Sequence, residues 1–414
     1  QELGDFAFST DTVLADVTLL SGYVQDACGE VSGVWPSGSV YDVLCDIEIP
    51  EGDTLTIESG TRVRFMSGTN LVCNGVLQVL GGPSDRVVFT SREPSPLPGD
   101  WGHVSLYAQG NTISHLDYEY ANDGFVGDGA SYTTIDNTVM VGNLSLSANG
   151  IYLSNSSNLT ITNNAISVGG DYGVYSPDSP GSYFGSNEIS ASSNGVYSPN
   201  SPNSLLENNS VSGPSNGLHF ENSPNLTVTD NVISVVGDYG VYSPNSPNSL
   251  LENNSVSGPS NGLHFENSPN LTVTDNVISV GGDYGVYSPY SPGSLLENND
   301  IEAIRCVSSA FSDSIVITHN NLSSDGNFDT YGDWSGGIRN PNSPHSLITN
   351  NVILGFNYNG DGGVIGVESH DSEISDNTVT ILGRENNICT AIYADRSVVR
   401  DNMLDVTLNT ECSS

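Results

Sequence analysis

Apolar residues in the middle of the chain follow a period of two that breaks at regular intervals. In LTVTDNVISV, Leu226 and Val228 alternate with threonines, and after Asn231 the alternation resumes at Ile233 and Val235. This predicts two short strands meeting at a bend. Asparagine suits such a bend because it tolerates the left-handed conformation. The same asparagine recurs as Asn164, Asn187, Asn209, Asn231, Asn254, Asn276, Asn299 and Asn321, at steps of 22 or 23 residues. Later members are Asn351, Asn377 and Asn402, at steps of 30, 26 and 25, so loops lengthen there. Stacked once per coil, these amides are expected to bond to one another in a ladder.

Residues Asn194 to Asp238 and Tyr239 to Asp283 align without gaps over 45 positions and differ at two, Asn194 against Tyr239 and Val236 against Gly281. Each block is itself two weaker copies of 22 and 23 residues. A coil this short has no room for a strand, a full helix and a second strand. The fixed leucine frame of leucine-rich repeats is absent. The remaining architecture is all-β, a parallel β-helix, and crossover handedness makes it right-handed. Roughly 15 coils at about 4.8 Å each predict a rod about 70 Å long. Four regions follow. Residues 1–36 are read as an N-terminal extension or cap, in which Asp11 to Leu20 alternates enough to be an exchanged strand. Residues 37–135 are wider first coils, 136–300 are regular coils, and 301–414 are irregular C-terminal coils.

The segments DIEIPEGDTLTIESGTRVRFMSGTNLVCNGVLQVLGGPSDRVVFTS (46–91), GDWGHVSL (99–106) and NGIYLSNSSNLTITNNAIS (149–167) carry a family resemblance. With the repeats, residues 38–404 resemble the secreted right-handed β-helix repeat proteins of bacterial and archaeal surfaces. That superfamily holds polysaccharide lyases, epimerases, adhesins and structural surface proteins, so the resemblance implies fold and leaves function open.

The 414 residues carry 48 acidic side chains against nine basic ones, a formal net charge of −39. All nine basic residues are arginine. Such a charge repels nucleic acid and anionic membranes, which excludes both as partners. It favours solubility, and calcium is the cation it could recruit. No run of 18 apolar residues exists to span a membrane. The polar start at Gln1 reads as a processed, mature end. Six cysteines suggest an oxidising compartment. Cys389 and Cys412 lie about one coil apart and are expected to pair, while Cys45 can pair with Cys28 or Cys73. Asn-x-Ser/Thr acceptors for glycosylation begin at Asn143, Asn155, Asn158, Asn208, Asn225, Asn253, Asn270 and Asn321,.

A second recurring row is aromatic: Tyr152, Tyr175, Tyr197, His219, Tyr242, His264 and Tyr287. The aliphatic residue before each, such as Val174 or Leu218, should point inward, which turns the ring outward. Stacked rings up one face are candidates for binding sugars or another subunit. The two histidines occupy one duplicated position, which reads as repetition and not as a catalytic base. The resemblance implies that uronate lyases and epimerases of this fold use clustered aspartates for calcium and an arginine or lysine as base. Lysine is missing, and no arginine lies between residues 136 and 300. Arg305, Arg339 and His345, near Asp329 and Asp333, are the nearest approach to such a group. The expectation is therefore an extracellular, filament-forming surface glycoprotein without catalytic residues or cofactor, assembling through its ends. A glycan-binding adhesin and a carbohydrate-active lyase or epimerase are the alternatives.

Overall fold

The computed structural model describes residues 24–141, 144–213, 215–324, 334–356, 363–384 and 389–409. Every strand pairing among them is parallel and joins one coil to the next. One coil shows the plan. Asn194–Tyr197 forms the first face, Leu205–Glu207 the second and Ser210–Gly213 the third. The second face is a continuous sheet of sixteen strands, Gly33–Trp35 to Val398–Arg400. At about 4.8 Å per strand it is about 70 Å long.

Alternation fills the interior. In the coil that starts at Tyr239, the inward residues are Val241, Leu251 and Val256, all essentially inaccessible. In the next they are Leu263, Val273 and Ile278. Three aliphatic columns thus run up the rod, and each fully buried member contributes about 1.5–3 kcal/mol relative to exposure. The corner between the second and third faces is made by a residue in the left-handed region, such as Asn208 (φ 56°), Asp230 (57°) or Asn253 (55°). The ladder asparagine is the residue after this corner. The amide Nδ2 of Asn231 donates to Oδ1 of Asn254 at 3.0 Å, and its backbone N–H reaches the same oxygen at 3.0 Å. The pattern runs from Asn164 through Asn299 to Asn351, Asn377 and Asn402.

One member of the series is corrected by the structure. The ladder passes through Asn320, which accepts from Asn299 at 2.9 Å, and Asn321 is not in it. His319 takes the left-handed corner (φ 56°), so the following residue is the rung. Asn321 starts the next strand, points outward, and donates to Asp300 at 2.8 Å.

The N-terminal boundary also moves. Val24–Glu30 pairs with Val40–Ile49, and Gly33–Trp35 pairs with Thr54–Glu58, so the strands within residues 24–36 form the first described rung of the coil stack. Asp11 to Leu20 lies outside the described residues. Strands of the first coils reach ten residues at Val40–Ile49, and late ones reach eight at Gly363–His370, against three or four in the middle. Cys28 and Cys45 form a disulfide, so Cys73 is not in one; it is a free thiol buried in the core. Cys412 lies outside the described residues.

Candidate functional site: the aromatic face

The recurrent rings stand on the outer side of the first face. Strand pairing sets Tyr152 on Tyr175, Tyr175 on Tyr197, Tyr197 on His219 and His219 on Tyr242. The series continues through His264 to Tyr287. All seven are half-buried, because each covers its neighbours. Tyr152 and Tyr175 lie 4.1 Å apart with a 10° interplanar angle, and Tyr175 and Tyr197 lie 5.3 Å apart at 5°. The histidines tilt, with His219 at 48° to Tyr197 and 57° to Tyr242. A second column thickens the row. Tyr172 packs edge-on against Tyr175, and Tyr239 and Tyr284 pack tilted against Tyr242 and Tyr287 at 49° and 50°.

This geometry decides what the row can do. Among Tyr152, Tyr175 and Tyr197, parallel stacking along the rod axis spends ring faces on ring faces, and from His219 to Tyr287 the tilted rings pack against one another,. A sugar that stacks flat on an aromatic needs a free face. Burial pushes the Tyr175 phenol up to about 12, with Tyr152 adding to the shift. Burial pulls His264 down to about 4, and lowers His219 against the opposing pull of Glu221. The row is therefore an uncharged stripe at neutral pH in a strongly acidic chain.

Below Tyr287 the column continues as Ser308, Arg339, Glu368 and Tyr393. Arg305 replaces the second-column tyrosine, sits over the Tyr284 ring at 5.2 Å and pairs with Asp283 at 3.5 Å. Arg305, Arg339 and Glu368 line a small pocket of about 20 Å³, in which Arg339 pairs with Glu368 at 3.1 Å. The structure thus brings Arg305 and Arg339 together. It does not bring His345 to them: that ring sits on a turn against Asp313 at 3.0 Å. Asp329 and Asp333 lie outside the described residues. No cluster of three or more potential metal ligands occurs among the described residues.

A family model described as "Right handed beta helix region" matches residues 101–241, and "Periplasmic copper-binding protein (NosD)" matches residues 185–353. The chain is a right-handed parallel β-helix repeat protein. Among solved structures, this β-helix protein is similar to the periplasmic alginate epimerase AlgG, at 14% identity and a TM-score of 0.44, over 90% of this chain and 78% of that one. It is similar to the Azotobacter vinelandii mannuronan C-5 epimerase AlgE4 A-module, at 13% identity and a TM-score of 0.36, over 92% and 91% of the two chains. The Streptococcus pneumoniae surface protein and adhesin PfbA matches at 11% identity and a TM-score of 0.33, over 87% and 91%. A curated relative, Protein bark beetle of Drosophila melanogaster, is 37% identical over 79 residues, 18% of this chain and 2% of the relative's length.

Sequence reasoning missed two features of this β-helix protein. A serine column runs inside the turn between the first and second faces. Backbone N–H groups of Ser179, Ser201, Ser223, Ser246, Ser268 and Ser291 each donate to the serine hydroxyl of the next coil at 2.9–3.0 Å. The repeated SPNSPN motif was its signal. The second column of Tyr172, Tyr239 and Tyr284 was equally visible in the repeated DYGVY.

Proposed function

We propose that this β-helix protein is a secreted structural rod of the cell exterior, lengthened by coil duplication, decorated with glycans and joined to further copies end to end. The observation that carries the reading is the direction of its contacts. Amide, serine and aromatic ladders run along the axis through both copies of the duplicated block, where ring centroids from Tyr197 to His264 lie 4.6–4.9 Å apart. A Cys28–Cys45 disulfide fits an oxidising compartment,. No helix among the described residues is long and apolar enough to cross a membrane. Seven of the acceptor asparagines, at 155, 158, 208, 225, 253, 270 and 321, are exposed, and Asn143 lies outside the described residues. At the last described rung, Val399, Leu404 and Val406 are 47%, 50% and 44% exposed. Their partners one coil earlier, Ile374, Val379 and Ile381, are fully buried. A further coil laid on this rung would cover them and pair its strand edges.

Electron microscopy of purified protein over a range of concentrations tests this. The expected result is rods about 70 Å long that join axially, with joining lost in the Val399→Asp, Leu404→Asp double variant. Two results would overturn it. One is single rods at every concentration. The other is depolymerisation of an acidic or neutral polysaccharide that disappears on Arg305→Ala or Arg339→Ala, which would favour the enzyme.

A further inference from the structure

Three successive N-terminal coils leave the first face at Pro50, Asn74 and Tyr107, directly after the paired positions Ile49, Cys73 and Leu106. They leave an open cleft of about 640 Å³, lined by Glu48, Glu51, Asn74, Val76, Tyr107 and Gln109 with their connecting backbone. That volume falls within the usual range for small-molecule sites, about 300–1,000 Å³.

The cleft is built, not a gap in packing. Gly75 forms its floor, where a Cβ would lie 2.2 Å from the Pro50 carbonyl oxygen and 2.4 Å from that of Asp53. Only glycine lets the turn sink this far, and its N–H is held by the Ile49 carbonyl at 2.8 Å,. Tyr107 is anchored through its backbone: its N–H and that of Ala108 both donate to the Cys73 carbonyl, at 3.0 and 3.3 Å. Tyr107 is 47% exposed. Unlike the tyrosines of the row, it has no described ring stacked on it. Asn74 donates to the Glu48 carboxylate at 2.8 Å, which fixes one amide and one carboxylate side by side on the wall.

We propose that this cleft binds an uncharged pyranose sugar. A pyranose has a flat C–H face and an edge of hydroxyls that both donate and accept. The face matches the free ring of Tyr107. The edge matches the acceptors of Glu48 and Glu51 and the amides of Asn74 and Gln109. An apolar ligand would strip water from these groups without replacing its hydrogen bonds. An anionic sugar would meet two carboxylates and no lining arginine. The inference does not depend on end-to-end assembly.

Calorimetric titration of the intact protein with cellotriose, mannotriose and chitotriose tests it, with trigalacturonate as the charged counterpart. At least one neutral trisaccharide should bind. Tyr107→Ala and Asn74→Ala should each weaken it about tenfold or more, while Tyr175→Ala leaves it unchanged. Gln109→Ala, on an exposed turn, should weaken it less and guards against a folding artefact at the other two. The proposal is overturned if no neutral probe binds, if Tyr107→Ala binds like the parent, or if trigalacturonate binds more tightly.

Discussion

The first five described coils and the duplicated coils share the three-faced plan and are held together differently. In the N-terminal coils the contacts are particular. Trp35 stacks on Tyr41 at 3.9 Å, and Phe65 stacks on Trp101 at 4.0 Å. The nearly buried Asp42 takes Arg64 at 2.6 Å and Arg92 at 2.8 Å, and Arg86 meets Asp117 at 2.6 Å. A disulfide closes the first rung. In residues 194–283 there is no arginine, and the same amide, serine and ring contacts recur in every coil. A contact that looks the same one coil up and one coil down survives the insertion of more coils. A contact between two unique partners does not. The duplication therefore sits in the middle, where every copied coil arrives with partners already matched to it.

Among single substitutions, the comparison breaks most sharply at a ladder rung. Asn254→Ala removes bonds from its amide to Val228 and Asn276, and takes an acceptor from the backbone and side chain of Asn231, all in the core. Local stability should fall by about 3–5 kcal/mol, since each orphaned buried group costs about 1–3. Hydrogen exchange at residues 231 and 254–256 should report the loss, with the first coils unaffected. If exchange there stayed slow, the ladder would not be what holds the repeats.

A smaller effect belongs to Asp42. Burial raises its carboxyl, but hydrogen bonds from Arg92 and Arg64 outweigh burial and hold it below the ordinary range. Its stabilisation is fully present above the unfolded value, about 4, and is lost as pH falls through the lower folded value. Asp42→Asn should cost about 1–2 kcal/mol at neutral pH, reduced because both arginines remain partly hydrated. The gap between parent and variant should close in acid. The amide ladders carry no charge, so the Asn254→Ala deficit should persist across the same pH range. Equal acid sensitivity in both variants would contradict the contrast.

The smallest effect should come from the largest change. Deleting Tyr239 to Asp283 removes two coils, shortens the rod by about 10 Å, and should leave the unfolding of the remaining coils nearly unchanged. Deleting a comparable length of the first coils, residues 46–91, should prevent folding. Limited proteolysis and electron microscopy of the two constructions would show whether the middle alone is interchangeable.

The coil period was legible because identical neighbours impose identical residues, and Asn164 to Asn299 advertise it at every turn. The register at Asn320 was not legible. Two asparagines stand side by side, and only the left-handed corner at His319 selects the first. The aromatic row was legible as a row, whereas the direction its faces take depends on side-chain rotation that the pattern leaves free. Asp42 and Arg64 lie 22 residues apart and could have been paired by the period. The sequence between them lacks the repeated asparagine that marks the period elsewhere. The Tyr107 cleft depends on how deeply a single turn sinks at Gly75, which no repeat announces.

The asparagine ladder also gives the rod a polarity. From Asn164 to Asn377 each side-chain N–H₂ donates to the amide oxygen of the next rung, and from Asn187 to Asn402 each amide oxygen accepts from the rung before. Ten such bonds in line align their amide dipoles, as peptide dipoles align in a helix. Inside the rod the first amide oxygen, of Asn164, accepts from the Thr138 N–H, while the last N–H₂, of Asn402, donates to the Ile374 and Arg400 carbonyls at the last described rung. A coil approaching the Asn402 side continues the stack only with a carbonyl oxygen in front. Reversed, it would set donor against donor. The stack itself is thus directional, fixed by the orientation of one small side chain repeated from rung to rung.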